Sequence, residues 1–141
     1  MNERVFIEPQ PSAETEAFWH AAGEGRFLVK RCTACGKAHW YPRSHCPFCA
    51  SADTVWEEAS GEGVIYSYSV MRRAKPPYVM AYVTLAEGPT MMTNIVDCDP
   101  DGLSIGDAVT LRFVTTAEGA ALPMFAPKAA AGVVDPAEER P

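Results

Sequence analysis

The sequence predicts a mainly β protein built from an N-terminal helix, a small metal-binding ribbon and a five-stranded barrel. Four cysteines in two C-x-x-C pairs between residues 30 and 49 predict the ribbon, and apolar residues that alternate with a period of two from residue 64 onward predict the barrel. Gly61-Glu62-Gly63 marks the joint between them. We expect an arm and helix over 1–25, ribbon and connector over 26–60, barrel over 61–129 and a disordered tail over 130–141.

Length, composition and charge are those of an ordinary globular protein. The chain has 141 residues, of which 48% are hydrophobic and 21% charged, and it shows no apolar run long enough to span a membrane. Its first residues lack the apolar segment of a signal peptide, so we expect a cytoplasmic location. The net charge of −6 argues against binding of nucleic acid or anionic lipid by bulk electrostatics.

A short amphipathic helix is predicted after the N-terminal arm. Ser12 is the expected N-cap, acidic residues occupy the first turn, and Phe18 recurs with alanines at helical spacing. Gly23 and Gly25 end the helix. The helix is expected to present Phe18 and Trp19 to another part of the protein.

The ribbon is predicted to form around the cysteine pairs. Residues 26–31 have the pattern of a strand that enters the first pair, and residues 39–41 have that of its return before the second pair. Residues 50–60 are acidic and predicted to be irregular.

Five strands with no helix among them are predicted after the joint. Their expected faces are Val64, Tyr66, Tyr68 and Val70; Val79, Ala81, Val83 and Leu85; Met91, Thr93 and Ile95 opposed to Met92, Asn94 and Val96; Val109, Leu111 and Phe113; Leu122 and Met124. The longest break, residues 97–107, falls between the third and fourth strands, as in barrels of the OB type.

Cys32, Cys35, Cys46 and Cys49 are the predicted metal ligands. Two residues between thiolates allow a tight turn in which both sulfurs point at one metal. Zinc is the preferred ion, because four thiolates fill its tetrahedron and leave no open position, which makes the site structural. Iron fits the same geometry. Loss of the metal is expected to unfold the ribbon and leave the barrel largely intact.

The remaining cysteine and the histidines are expected to have no role in the metal site. His39 and His45 are surplus beside four thiols and are predicted to lie on the ribbon surface, and His20 is predicted to be exposed on the helix. Cys98 has no second cysteine nearby in sequence, so a free thiol in or beside the barrel is expected.

Two groups of basic residues stand out in an acidic chain. From Arg26 to Cys49 there are five basic residues and no acid. Part of that charge compensates the thiolates, and the rest forms either a solvated surface or one that faces an anion or a partner.

In the second basic group, Arg72, Arg73 and Lys75 follow the first barrel strand, in a loop that borders the ligand face of OB folds. They suit a phosphorylated ligand, a short nucleic acid or a solvated hairpin tip.

Several short motifs, taken in order, resemble one family over residues 12–128. They are Phe18-Trp19, Gly25-Arg26-Phe27-Leu28, Arg31-Cys32-x-x-Cys35-Gly36, Tyr41-Pro42-Arg43, Cys46-Pro47-x-Cys49, Trp56, Ser60-Gly61-x-Gly63 and Ile105-Gly106-Asp107-x-Val109. The chain resembles the acyl-CoA-associated family of zinc-ribbon/OB-fold proteins, long catalogued as a domain of unknown function. The resemblance implies an N-terminal helix, a rubredoxin-like zinc ribbon with the four cysteines as ligands, and an OB barrel. Members accompany thiolase-like condensing enzymes or lipid-transfer-type thiolase homologues in acyl-CoA, polyketide or steroid metabolism.

Two functions follow as hypotheses. The first is a non-catalytic accessory subunit that binds acyl-CoA, scaffolds a thiolase-like (condensing or retro-aldol) enzyme, or does both. Arg72, Arg73 and Lys75 would then contact the CoA phosphates, and aromatic and methionine side chains would shape an apolar groove; these are Tyr66, Tyr68, Met80, Tyr82, Met91 and Met92.

The alternative is a single-stranded nucleic-acid-binding protein. Residues 60–129 carry five basic and seven acidic side chains, which disfavours this alternative, because nucleic-acid affinity grows with each cation that neutralises a phosphate. We expect no catalysis by the chain on its own.

Overall fold

The computed structural model describes residues 4–128 and confirms the predicted fold class. Within these described residues there are one α-helix, a three-stranded ribbon sheet and a closed five-stranded barrel. The predicted tail lies outside the described residues. Within residues 4–128, no helix is long and apolar enough to cross a membrane.

The helix α1 (Glu16–Gly23) begins later than predicted. Thr15, not Ser12, is the residue before its first turn, and the Ser12 carbonyl instead accepts the N–H groups of Thr15 and Glu16 at 3.0 and 2.8 Å. Phe18 is buried, as expected, and Trp19 packs against the core. Gly25 follows the helix with φ of +83°, a conformation that favours glycine.

The ribbon sheet has the strand order β2-β1-β3, formed by β1 (Leu28–Cys32), β2 (Ala38–His39) and β3 (Thr54–Glu58). The prediction that residues 50–60 are irregular was wrong, because β3 pairs with the whole of β1 from Leu28 opposite Glu58 to Cys32 opposite Thr54. Its acidic side chains belong to a partly exposed edge strand, where charge is tolerated.

The barrel closes in the order β4-β5-β6-β8-β7. Its strands are β4 (Glu62–Met71), β5 (Tyr78–Leu85), β6 (Thr90–Ile95), β7 (Ala108–Thr115) and β8 (Ala121–Pro127). The long connection between the third and fourth barrel strands contains a short 3₁₀ turn, Pro100–Gly102. Thus the predicted five strands and their longest break are both present.

The face predicted for β8 was wrong. Phe125 is the fully buried side chain of this strand, and it is paired with Leu111 of β7 and Ile95 of β6, which also point inward. Leu122 and Met124 therefore lie on the other face of β8.

The inward faces of β5, β6 and β7 agree with the predicted alternation, but the first half of β4 does not. Val79, Ala81, Val83 and Leu85 of β5 are buried, but in β4 it is Ile65 that is buried, whereas Val64 and Tyr66 are exposed. The pairing with β5 shifts between Ile65 and Ser67, so Tyr66 is an extra residue in a β-bulge. The bulge reverses the face of every residue before it, and the expected face from Val64 to Val70 was therefore wrong at its start.

Gly63 is required where β4 pairs with the end of β5. A Cβ atom at this position would lie 2.7 Å from Val83 Cγ1 and 2.8 Å from the Thr84 carbonyl oxygen. Any side chain would push these strands apart, so the glycine-rich joint permits close contact at the start of the barrel.

Aromatic side chains join the ribbon to the barrel in one hydrophobic core. Phe27 lies just before β1, and its ring centroid is 6.2 Å from that of Phe18 and 5.5 Å from that of Trp40. On its other side, it lies 6.4 Å from Phe113 and 6.3 Å from Phe125 in the barrel. The helix, ribbon and barrel therefore share one core. The sequence on its own predicts a ribbon that can unfold without the barrel.

Candidate functional site

The four predicted cysteines lie together at one end of the ribbon. Their Sγ atoms are all within 4.8 Å of one another; Cys32 lies 3.6 Å from Cys49, and Cys35 lies 3.7 Å from Cys46. A tetrahedral zinc ion with Zn–S bonds of about 2.3 Å places its sulfur ligands about 3.8 Å apart. The cluster therefore fits a zinc ion with four thiolates and no open position.

Two turns of the same kind present the sulfurs. In the first, the Gly36 N–H donates to the Cys32 carbonyl oxygen at 2.9 Å, and in the second the Ala50 N–H donates to the Cys46 carbonyl oxygen at 2.8 Å. Gly36 and Ala50 both have positive φ, of 81° and 67°. Glycine in the first turn signalled this conformation in the sequence; alanine in the second did not.

Backbone amides also point at the sulfur atoms. The Cys35 N–H donates to Cys32 Sγ at 3.4 Å, and the Phe48 N–H donates to Cys46 Sγ at 3.3 Å. The hydrogen bond from Cys35 lowers the pKa of the Cys32 thiol to about 7. It favours the thiolate, which is the form that binds metal.

Of the three histidines, which were all predicted to be exposed, one is buried. His20 and His45 are exposed, as expected, but His39 is only 5% exposed. Neither of its ring nitrogens has a hydrogen-bond partner within the described part of the chain. Burial, together with the charges of Lys30 and Arg43, lowers the pKa of His39. The surface prediction for His39 was wrong, because both residues of β2, an edge strand of the ribbon sheet, are buried.

The basic stretch of the ribbon is partly neutralised by acids from other elements. Arg31 forms an ion pair with Glu57 of β3, and Arg26 contacts Glu24 and Glu58. The sequence could not show these pairs, because the acids lie on the helix end and on the unpredicted β3. Other ribbon cations lie over aromatic rings: Lys30 over Trp56, Lys37 over Phe48 and Arg43 over Tyr41, with 4.7, 5.1 and 5.7 Å to the ring centroids.

Arg72 and Arg73 of the second basic group line a cavity of about 360 Å³ beside the β4–β5 loop. Val70, Met71, Ala74 and Tyr78 complete its lining. Arg72 forms an ion pair of 2.9 Å with Asp101 of the 3₁₀ turn. Lys75 is exposed on the same loop and is not part of the lining. The structure thus brings two of the three predicted cations to one cavity. We call it the cationic pocket.

Cys98 is a half-buried free thiol beside the barrel core. Its Sγ lies 3.8 Å from the Ile95 carbonyl oxygen, to which the thiol donates. Burial, with a smaller contribution from Asp99, raises the pKa of the Cys98 thiol. It is therefore a free, protonated thiol beside the barrel, and a free thiol is what the sequence predicted.

The outer face of the barrel carries an exposed row of large side chains. Tyr66, Tyr82 and Met92 are 66, 46 and 57% exposed and lie side by side on three adjacent strands, because Tyr82 is paired with Met92 and lies opposite the bulge at Tyr66. We call these three residues the outer row. Tyr68, by contrast, points inward and donates its hydroxyl to the Leu103 carbonyl oxygen at 2.8 Å.

A closed thiolate ribbon joined to a closed five-stranded barrel defines the class of zinc-ribbon/OB-fold proteins. Family models agree with both parts: residues 19–55 match the ChsH2 rubredoxin-like zinc ribbon domain and residues 56–114 the ChsH2 C-terminal OB-fold domain. The chain belongs to the DUF35 family of these proteins. Its ribbon is a zinc ribbon, and the ion is structural.

The chain is similar to several known proteins. A DUF35 domain-containing scaffold protein of Methanothermobacter thermautotrophicus is 37% identical over 108 residues, which cover 71% of this chain and 81% of that protein. A probable enoyl-CoA hydratase alpha subunit of Thermomonospora curvata is 37% identical over 128 residues, covering 86% of this chain; the chain spans only 40% of that protein's length. The solved structure of an Ltp2-ChsH2(DUF35) aldolase matches with a TM-score of 0.75 and 34% identity, covering 85% of this chain and 98% of the matched one.

A more distant solved structure supports the fold alone. A DUF35-family structure from Sulfolobus solfataricus has a TM-score of 0.61 at 13% identity, covering 82% of this chain and 86% of that one.

Proposed function

We propose that the protein is a non-catalytic accessory subunit that docks on a thiolase-like enzyme and binds acyl-CoA. The observation that carries the docking part is the outer row. Tyr66, Tyr82 and Met92 form a large exposed surface, and such tyrosine-rich patches are typical of protein interfaces. The relatives named scaffold protein, hydratase alpha subunit and Ltp2-ChsH2 aldolase support an assembly role.

The zinc site is proposed to stabilise the subunit and to take no part in chemistry. Cys32, Cys35, Cys46 and Cys49 would supply all four ligands, which leaves no position for water or substrate. The ribbon then supports the barrel through the aromatic core around Phe27.

Acyl-CoA binding is proposed to use the cationic pocket for the phosphates. Arg73 lines the pocket, and Arg72 lies in it with one guanidinium nitrogen on Asp101. Lys75 is exposed on the same loop and adds positive charge at the pocket rim. Arginine donors of this kind bind phosphate oxygens in pairs, which makes the loop the most suitable anion site on an acidic barrel.

Co-expression with a candidate thiolase-like partner enzyme tests the docking part. The two chains should elute together in size-exclusion chromatography. Tyr66→Asp and Tyr82→Asp should each weaken the complex at least tenfold, because a charge would be buried in the interface. Ile105→Asp is the matched control, since Ile105 is 69% exposed and lies outside the outer row. Equal effects of all three substitutions would refute the assigned surface.

A further inference from the structure

A second cavity opens where the barrel is least tightly closed. Strands β6 and β8 run parallel but share a single paired position, Ile95 with Phe125, whereas β5 and β6 are paired at six positions. The earlier part of β6 and the start of β8 therefore diverge. The Thr93 hydroxyl crosses the gap and donates to the Pro123 carbonyl oxygen at 3.0 Å.

The gap forms an apolar groove of about 300 Å³, at the lower end of the usual range for ligand cavities. Trp19 of the helix and Trp40 of the ribbon form one side. Four of the six methionines in the sequence line the groove: Met80, Met91, Met92 and Met124. Methionine side chains are flexible and polarisable, so a methionine-lined groove adapts to apolar chains of different shape.

The groove has a closed floor and an open mouth. Met91 and Met124 are 1 and 6% exposed, whereas Met92 is 57% exposed. All its lining side chains within residues 4–128 are uncharged. It therefore suits an apolar chain that enters from the outer face of the barrel beside the outer row, to which Met92 also belongs.

The cationic pocket lies next to this groove on the same strand. Tyr78 lines the pocket and Met80 lines the groove, and both side chains lie on the outer face of β5, because Val79 and Ala81 point into the core. Two residues along a strand span about 7 Å. One ligand with an anionic head and an apolar chain can thus reach both cavities.

We propose that the methionine groove binds the acyl chain of an acyl thioester whose phosphorylated carrier occupies the cationic pocket. This inference rests on the acyl-CoA part of the proposed function and adds to it the chain subsite. Because the mouth adjoins the outer row, the chain would be held next to the docked enzyme.

Methyl NMR of the protein labelled with ¹³C-methyl methionine tests the two cavities separately. Met71 lines the cationic pocket and reports on the head group, whereas the four groove methionines report on the chain. CoA should shift the Met71 methyl signal and leave the groove signals in place. Octanoyl-CoA should shift all five.

Affinity should also depend on chain length. Each fully buried methylene increases affinity about fourfold. The groove is open and buries the chain only in part, so we expect octanoyl-CoA to bind at least tenfold more tightly than acetyl-CoA. Met92→Asp should abolish this difference and leave CoA binding unchanged. Val64→Asp is the control, since Val64 is a comparably exposed apolar residue on the outer face of β4, outside the groove lining.

Two failures are distinguishable. If CoA and octanoyl-CoA bind equally and the groove methyls do not move, the groove proposal is overturned, and CoA binding stands. If neither ligand binds up to millimolar concentration, the acyl-CoA part of the proposed function fails and the groove proposal fails with it.

Discussion

The Phe27 ring contacts the Phe125 ring at a centroid distance of 6.3 Å and an angle of 78°, which joins the start of the ribbon to the last strand of the barrel. Both rings are almost fully buried. Edge-to-face contacts of this kind stabilise a core beyond the area that they bury. The ribbon and barrel should therefore unfold together.

Phe27→Ala is predicted to lower the free energy of unfolding by about 3–5 kcal/mol, the usual cost of emptying a buried phenylalanine site. Urea unfolding followed by tryptophan fluorescence and by far-UV circular dichroism should give one coincident transition for the wild type. Phe48→Ala is the control, because Phe48 is 57% exposed; it should change stability by about 0.5 kcal/mol or less. Two separate wild-type transitions would contradict a shared core.

Removal of one thiolate is predicted to remove the zinc and to destabilise the whole protein. Cys35→Ser changes an exposed ligand, so its effect on packing is small. Zinc content measured by mass spectrometry should fall from about one ion per chain towards zero, with a lower melting temperature for the barrel as well. Cys98→Ser is the control and should retain its zinc. Full zinc content in Cys35→Ser would refute the four-cysteine assignment.

Because the ribbon and the barrel share a core, loss of zinc should destabilise both of them. Judged from the sequence, the ribbon could unfold alone, but Phe27 and Trp40 form part of the structure that covers the barrel. An effect confined to the ribbon would favour the simpler sequence-based expectation.

His39 is predicted to make stability depend on pH. Burial lowers the pKa of His39 in the folded protein, whereas the unfolded chain takes up this proton near pH 6.5. The unfolded state therefore binds more protons as the pH falls below about 6.5, and stability decreases. Urea unfolding between pH 5 and 8 should show a decrease in the wild type and in the exposed control His45→Gln that is smaller in His39→Gln. The wild type and both variants contain the same metal site, so any pH dependence of that site is common to all three. Identical plots of stability against pH would therefore contradict a buried, neutral His39.

The Asp101 carboxylate and a bound phosphate are predicted to compete for Arg72 in the cationic pocket. Arg73→Ala should weaken CoA binding by about tenfold, the loss expected for a charge-assisted hydrogen bond. Asp101→Asn should strengthen it a few-fold, because Arg72 loses its ion-pair partner and becomes available. Arg26→Ala removes an exposed arginine of the ribbon and should have no effect on CoA affinity in calorimetry. A weaker affinity in Asp101→Asn would show that Asp101 supports the site.

Local signals in the sequence predicted much of this architecture. The spacing of the cysteines specifies two turns, since only neighbouring residues are involved, and the alternation in β5 matches its buried face residue by residue. The acidic strand β3 was missed because its pairing with β1 depends on residues distant in sequence.

Other features depend on tertiary contacts that no local pattern records. The bulge at Tyr66 leaves the apolar alternation of β4 unchanged in sequence while it reverses the side-chain face. The methionines were recognised as groove candidates, but the groove itself requires Trp19 and Trp40 from other elements and the divergence of β6 from β8.

On the proposed function, the protein contributes docking and binding, and the chemistry belongs to a partner enzyme. Turnover of octanoyl-CoA, followed as release of free CoA thiol, tests this division of roles when it is measured for the purified chain, for a thiolase-like enzyme that co-purifies with it, and for an equimolar mixture. We predict no turnover by the chain alone and faster turnover by the mixture than by the enzyme alone. Turnover by the purified chain alone, or a mixture no faster than the enzyme, would show that this division of roles is wrong.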